Sequence, residues 1–159
     1  MAYNATTVAN RFLSLAQRDG KYLTNMQLQK LVYIAHGFYL AFSGKPLLSD
    51  EVKAWQWGPV IVELYEILKR YGAGSIPNLI PATNETSDPM AEIVIQNVWR
   101  AYGHFSRFQL STITHRNNSP WSQTWESWGG HYETIPNEVI ARHYQQLLNE
   151  RRKANQPSR

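Results

Sequence analysis

The sequence predicts an all-α fold: one compact single-domain bundle of about seven helices around a central apolar helix, with at most a small β element near residues 51–57. Three observations carry that prediction. Apolar residues recur at helical spacing in successive segments. Capping residues open most of those segments and Gly or Pro closes them. One segment, Thr24 to Ser43, is apolar nearly all round, as befits a helix buried on every side.

The first helix is expected from about Thr7 to Arg18, capped by Asn4 or Thr6 and ended by Asp19-Gly20, with Val8, Phe12, Leu15 and Ala16 inward. Thr24 opens the central helix, and Gln27 three residues later completes a capping box. Apolar residues at 28, 31, 32, 35, 38, 39 and 42 form its stripe, and Gly44-Lys45-Pro46 breaks it. Glu51 to Trp57 alternates, Val52 and Ala54 against Lys53, Trp55 and Trp57, so both tryptophans of such a strand face one way. Gly58-Pro59 is expected to turn the chain into a third helix with Pro59 near its first position and Val60, Ile61, Leu64, Ile67 and Leu68 in the core. Residues 72–88 form a loop with an extended piece around Ile76 or Leu79-Ile80. Asp88-Pro89, a cap followed by proline, starts a fourth helix to about Tyr102 along Ala91, Val94, Ile95 and Val98. Ser106 caps a short helix through Phe108, Leu110 and Ile113 to Thr114-His115. Ser119-Pro120 starts another through Trp121, Trp125 and Trp128, ended by Gly129-Gly130. Ile135-Pro136 opens the last, with Val139, Ile140, His143, Tyr144, Leu147 and Leu148 inward.

The 43% apolar and 18% charged composition is that of a globular protein, and 159 residues bury a core that needs no metal or disulfide staple. The absence of cysteine excludes disulfides, thiolate metal sites and cysteine nucleophiles, and fits a reducing cytoplasm. Met1 to Asn10 has no signal-peptide pattern, and the longest nearly apolar run, Leu31 to Phe42, is too short to span a bilayer. A cytoplasmic protein without a membrane partner is the expectation. The formal charge is +4, but residues 150–159 carry Arg151, Arg152, Lys153 and Arg159 against Glu150, a net +3. That divides the chain into a nearly neutral domain, 1–149, and a basic flexible tail, 150–159. A nucleic-acid footprint would instead be a basic stripe on the body.

Catalytic patterns are missing. The five histidines (36, 104, 115, 131, 143) stand singly, without metal-ligand spacing, and there is no nucleophile elbow, phosphate loop or dinucleotide fingerprint. No enzyme activity, cofactor or metal is expected. Three stretches stand out instead. In Leu28-Gln29-Lys30-Leu31-Val32-Tyr33-Ile34-Ala35-His36-Gly37, His36 reads as a satisfied buried histidine, while Lys30 needs water or a partner for its ammonium. In Ala54-Trp55-Gln56-Trp57-Gly58-Pro59-Val60 the tryptophans are either core anchors around a corner or partly exposed binding residues. In Leu110-Ser111-Thr112-Ile113-Thr114-His115 followed by Ser119-Pro120-Trp121, His115 either caps helix carbonyls while Trp121 fills the core, or both meet a partner.

In this order the three stretches resemble the Panacea domain, found in SocA-like antitoxins and phage-associated proteins of the GepA type. The resemblance runs from about Val8 to Leu148. It implies a bacterial or prophage antitoxin with no catalytic role, encoded beside a cognate toxin that is in some systems alarmone-synthetase-like. Neutralisation would be by direct protein–protein contact, alternatively by delivery of the toxin to a protease; a nucleic-acid-binding regulator is a further alternative. The positions that carry over are Gln29, Lys30, Tyr33, His36, Gly37, Trp55, Gly58, Pro59, Thr114, His115, Pro120 and Trp121, with Trp57 and Trp125 added as aromatic candidates. They are expected either to bind the toxin or to build the scaffold. One place departs from the family: Asn117 stands where an acidic residue is frequent.

Overall fold

The computed structural model describes residues 2–81, 84–127 and 132–154. Among them are seven α-helices: α1 (Ala5–Arg18), α2 (Asn25–Ser43), α3 (Val62–Leu68), α4 (Pro89–Tyr102), α5 (Arg107–His115), α6 (Pro120–Ser127) and α7 (Asn137–Ala154). A 3-10 turn, Lys69–Tyr71, prolongs α3. Two short antiparallel strands, β1 (Lys53–Trp55) and β2 (Gly58–Val60), form a hairpin in the register Lys53 to Val60, Ala54 to Pro59 and Trp55 to Gly58. The all-α class and the central apolar helix are as the sequence predicts.

Helix α2 is the hub, packed by α1, α4, α5 and α7, and Leu28, Leu31, Val32, Ile34 and Ala35 along it are fully buried. Its start is fixed by the expected capping box. The Thr24 hydroxyl accepts the Gln27 N–H at 3.2 Å, and the Gln27 side-chain Oε1 accepts the Thr24 N–H at 2.9 Å. Against α7 the two helices meet where Gly37 faces Tyr144, whose ring stands edge-on to Tyr33 and Phe38 at 6.1 and 4.8 Å.

His36 lies in the same contact and is fully buried. Its Nδ1 accepts the Leu48 N–H at 3.2 Å, and its Nε2 donates to Asn137 Oδ1 at 3.1 Å, which makes it the neutral tautomer. Burial lowers its pKa from 6.5 to about 4, outweighing the Asn137 hydrogen bond and the charge of Asp50. The unfolded chain therefore takes up this proton at higher pH than the folded one. The stability tied to His36 is complete above pH 6.5 and is lost as the pH falls towards 4, by about 3 kcal/mol in all. His143, lowered by its partial burial, adds to the same slope. Urea midpoints measured from pH 7 to pH 5 should decline in the wild type and decline far less in His36→Gln; equal slopes would remove His36 from this role.

Four expectations change. Helix α1 begins at Ala5, and Asn4 makes no side-chain cap; the Ala5 N–H is taken at 2.9 Å by Asp50 Oδ1 from the far side of α2 in sequence. Pro59 does not start a helix. It lies in β2, where a missing N–H is tolerated at a sheet edge, and α3 starts at Val62, leaving Ile67 exposed. Trp99, outside the expected stripe of α4, is buried with its Nε1 donating to Asp19 Oδ2 at 2.7 Å, which ties α4 to the end of α1. The boundary at 149/150 does not coincide with a structural break. Helix α7 runs on to Ala154, and Arg151 lies 5.2 Å over the Phe38 ring and donates to the Tyr102 hydroxyl. The expected roles of Trp128 and Gly129-Gly130 fall outside the described residues.

The 72–88 loop is pinned where the sequence suggests. The Ile76 N–H donates to Leu23 O at 2.8 Å, and Ile80 exchanges backbone hydrogen bonds with the Asn10 side chain at 2.7 and 2.8 Å. Among the described residues no helix is long and apolar enough to cross a membrane.

Candidate functional site

The β1–β2 hairpin is where the three sequence stretches meet. Gln29 and Lys30 approach it from the start of α2. Gln29 is buried; its Oε1 accepts the Ile61 N–H at 2.9 Å and its Nε2 donates to Asn25 Oδ1 at 3.3 Å, so it clamps the exit of β2. Lys30 is 0% exposed, and its Nζ donates to Pro59 O at 2.9 Å and Trp57 O at 3.2 Å. The partner this lysine requires is thus the backbone of the hairpin, not water or a carboxylate. Burial alone lowers its pKa from 10.5 to about 7.

Gly58 stands between Lys30 and α5 with φ +109°, a value L side chains rarely adopt, and a Cβ there would lie 2.9 Å from both Lys30 Nζ and His115 Cε1. The Gly58-Pro59 pair is therefore explained by close packing in a hairpin and not by a helix start. From the other side, carbonyl oxygens face both ring nitrogens of His115: Ser111 O at 3.0 Å and Gln56 O at 3.4 Å. Thr114, buried beside it, donates its hydroxyl to Leu110 O at 3.0 Å. Trp121 sets its ring edge against His115 at 4.3 Å, donates from Nε1 to Trp55 O at 2.5 Å, and stacks on Trp125 at 5.7 Å. Pro120 is buried at the first turn of α6, which carries both tryptophans.

Ten of the fourteen singled-out residues (Gln29, Lys30, Trp55, Trp57, Gly58, Pro59, Thr114, His115, Trp121 and Trp125) surround or continue this hairpin, and Pro120 positions two of them. Tyr33, His36 and Gly37 lie apart, in the α2–α7 contact, where they pack and satisfy buried groups.

In front of the hairpin opens a groove of about 510 Å³. Met26 and Gln29 of α2, Trp55, Trp57 and Val60 of the hairpin, Tyr65 of α3 and Phe108 and His115 of α5 are among the residues that line it. Trp55 is half-buried and meets the Tyr65 ring edge-on at 5.1 Å. Trp57 sits in the turn, 55% exposed, and Phe108 is 69% exposed. The expectation of two tryptophans on one strand is thus replaced by one on the strand and one at the tip, both lining the same groove. Among the described residues no group of His, Asp or Glu gathers as metal ligands would.

Phe108, Arg107, Tyr65 and Met26 are absent from the residues singled out by sequence. Phe108 was legible: it is two positions from buried Leu110, about 200° round an α-helix, and so cannot share its face. The others are brought in only by tertiary packing.

The chain matches the family described as antitoxin SocA-like, Panacea domain, over residues 28–122, which spans every residue of the hairpin cluster apart from Trp125. It is 30% identical over 128 residues to antitoxin SocA of Caulobacter vibrioides (strain NA1000 / CB15N), covering 74% of this chain and 68% of that protein. No solved structure matches it.

Proposed function

The chain belongs to the SocA-like antitoxin family defined by the Panacea domain, and from that premise we propose that it neutralises a toxin protein by binding it directly, with the hairpin groove as the docking face. The observation that supports this reading is an apolar groove with two large aromatic side chains, Trp57 and Phe108, left in solvent at its edges. Exposed aromatics beside a concave apolar surface are the usual anchors of a protein interface, and burying about 800 Å² on each partner around them gives a stable complex. The buried Lys30 and Gln29 hold the hairpin, and the half-buried His115 and Trp121 brace its turn, so together they set the shape of the groove. In this reading they are scaffold, and the rim selects the partner.

The test is co-expression with the product of the adjacent reading frame, scored by growth and then by co-elution on a sizing column. Rescue with a joint peak is the expected result. Trp57→Ala combined with Phe108→Ala should weaken the complex by about 100-fold or more and abolish rescue, while leaving the melting temperature nearly unchanged because both side chains are exposed. Rescue without a joint peak, accompanied by loss of the toxin from the cell, would favour delivery to a protease. A harmless neighbour with no complex would overturn the reading.

A further inference from the structure

The groove has a charge as well as a shape. Among the described residues no acidic side chain lines it, whereas Arg107 does, with its guanidinium 4.9 Å from the centre of the exposed Phe108 ring. Among the described residues Arg107 forms no ion pair. Helices α2 and α5 both contribute their first turns to the lining, and neither carries an acidic residue there, so beyond their neutral capping boxes no carboxylate of either first turn offsets the positive ends of the two helix dipoles. A cation resting on an aromatic at the lip of an apolar groove, with no carboxylate of its own, is one half of a charge pair.

The hairpin also restricts how a partner can bind. Its β1 edge is occupied by the following chain, since the Ala54 N–H donates to Glu133 O and the Ile135 N–H to Val52 O, each at 2.8 Å. On β2, Pro59 has no N–H to offer, and its carbonyl is taken by Lys30. Neither edge is open to strand addition, which leaves recognition through side chains, as when an amphipathic helix lays its apolar face in a groove.

We propose that the groove takes an acidic amphipathic helical segment of the partner, which seats a large apolar side chain between Trp57 and Phe108 and brings a carboxylate to Arg107. This inference rests on the groove being the docking face. An uncharged segment would desolvate the guanidinium without compensation, and a basic one would meet like charge.

The experiment pans a phage-displayed random 12-residue peptide library against the full chain, and in parallel against Arg107→Glu and against the Trp57→Ala/Phe108→Ala variant. The expected wild-type consensus combines large apolar residues with Asp or Glu at helical spacing. Synthetic peptides of that consensus should bind Arg107→Glu about 30-fold or more weakly. Selection on Arg107→Glu should shift the acidic positions to Lys or Arg, and the double alanine variant should retain no peptide. A basic or uncharged consensus, an unenriched library, or peptides that hold the double variant equally well would overturn the proposal. So would a dimer of the chain itself that Trp57→Asp dissociates. Growth rescue separates this proposal from the one beneath it. Rescue lost in the double variant but unchanged in Arg107→Glu refutes the acidic segment alone, whereas rescue unchanged in both refutes the docking face.

Discussion

Replacing Gly37 with alanine is expected to destabilise the protein by about 2 kcal/mol, even though alanine is the better helix former by about 1 kcal/mol. A Cβ at this position would lie 2.3 Å from Cδ2 and Cε2 of Tyr144, far inside van der Waals contact. Relief by moving the ring is blocked. Tyr144 is buried, with Tyr33 edge-on at 6.1 Å and Phe38 edge-on at 4.8 Å. The whole of α7 must therefore back away from α2 along the largest helix–helix contact of the bundle. At this size 2 kcal/mol corresponds to a melting temperature lower by about 4–8 °C. Gly37→Val should cost more, because its branched side chain adds volume where none is free. The decisive comparison is Gly37→Ala with Gly37→Ala/Tyr144→Leu in urea unfolding. If the clash is the cause, the double variant is less destabilised than the two single losses added together. A Gly37→Ala protein as stable as the wild type would refute the account.

How much was legible in the sequence follows the range of the interactions. Thr24 with Gln27, Ser106 as a cap and Asp88 with Pro89 signal helix starts through contacts within one turn, and all three starts occur where expected. The burial of α2 was equally legible, because its composition leaves no polar face. The role of Gly58-Pro59 is not legible locally because the same dipeptide suits a helix start and a hairpin edge, and the choice depends on Lys30, 28 positions upstream of Gly58 and invisible to any local pattern. The start of α1 has the same cause, since Asp50 supplies the acceptor that Asn4 does not. The candidate site divides in the same way. Sequence singled out its largely buried frame, where residue type is dictated by packing and backbone satisfaction, and of the exposed edge Trp57. The rest of its rim, half-buried Arg107 and exposed Phe108, obeys neither constraint, and surfaces of this kind are what a partner selects.

Lys30 is the point at which frame and rim are coupled. Its ammonium donates to both Trp57 O and Pro59 O, so Lys30→Ala takes the donor from one part-buried and one buried carbonyl and leaves a void along the former stem. A loss of about 3–5 kcal/mol is expected, larger than that for Gly37→Ala. Lys30→Met keeps the stem and removes the charge, which should recover part of that loss. The two variants differ from the wild type in pH dependence as well. The pKa of Lys30 falls from 10.5 to about 7 on folding, so between these values the unfolded chain holds a proton that the folded one does not. Stability tied to this group is therefore complete only above 10.5 and is lost as the pH falls to 7, at up to about 1.4 kcal/mol per unit. Urea midpoints should rise from pH 7 to pH 9 in the wild type and stay level in Lys30→Met. The raised pKa values of buried Tyr33 and Tyr144 act only above pH 10, outside this window. A level wild-type profile would mean that the two carbonyls keep the ammonium charged despite its burial. Because Trp57 is held through its own carbonyl, Lys30→Met should also weaken toxin binding more than it lowers stability at pH 9. Equal binding by the wild type and Lys30→Met would show that the hairpin tip keeps its place without this lysine.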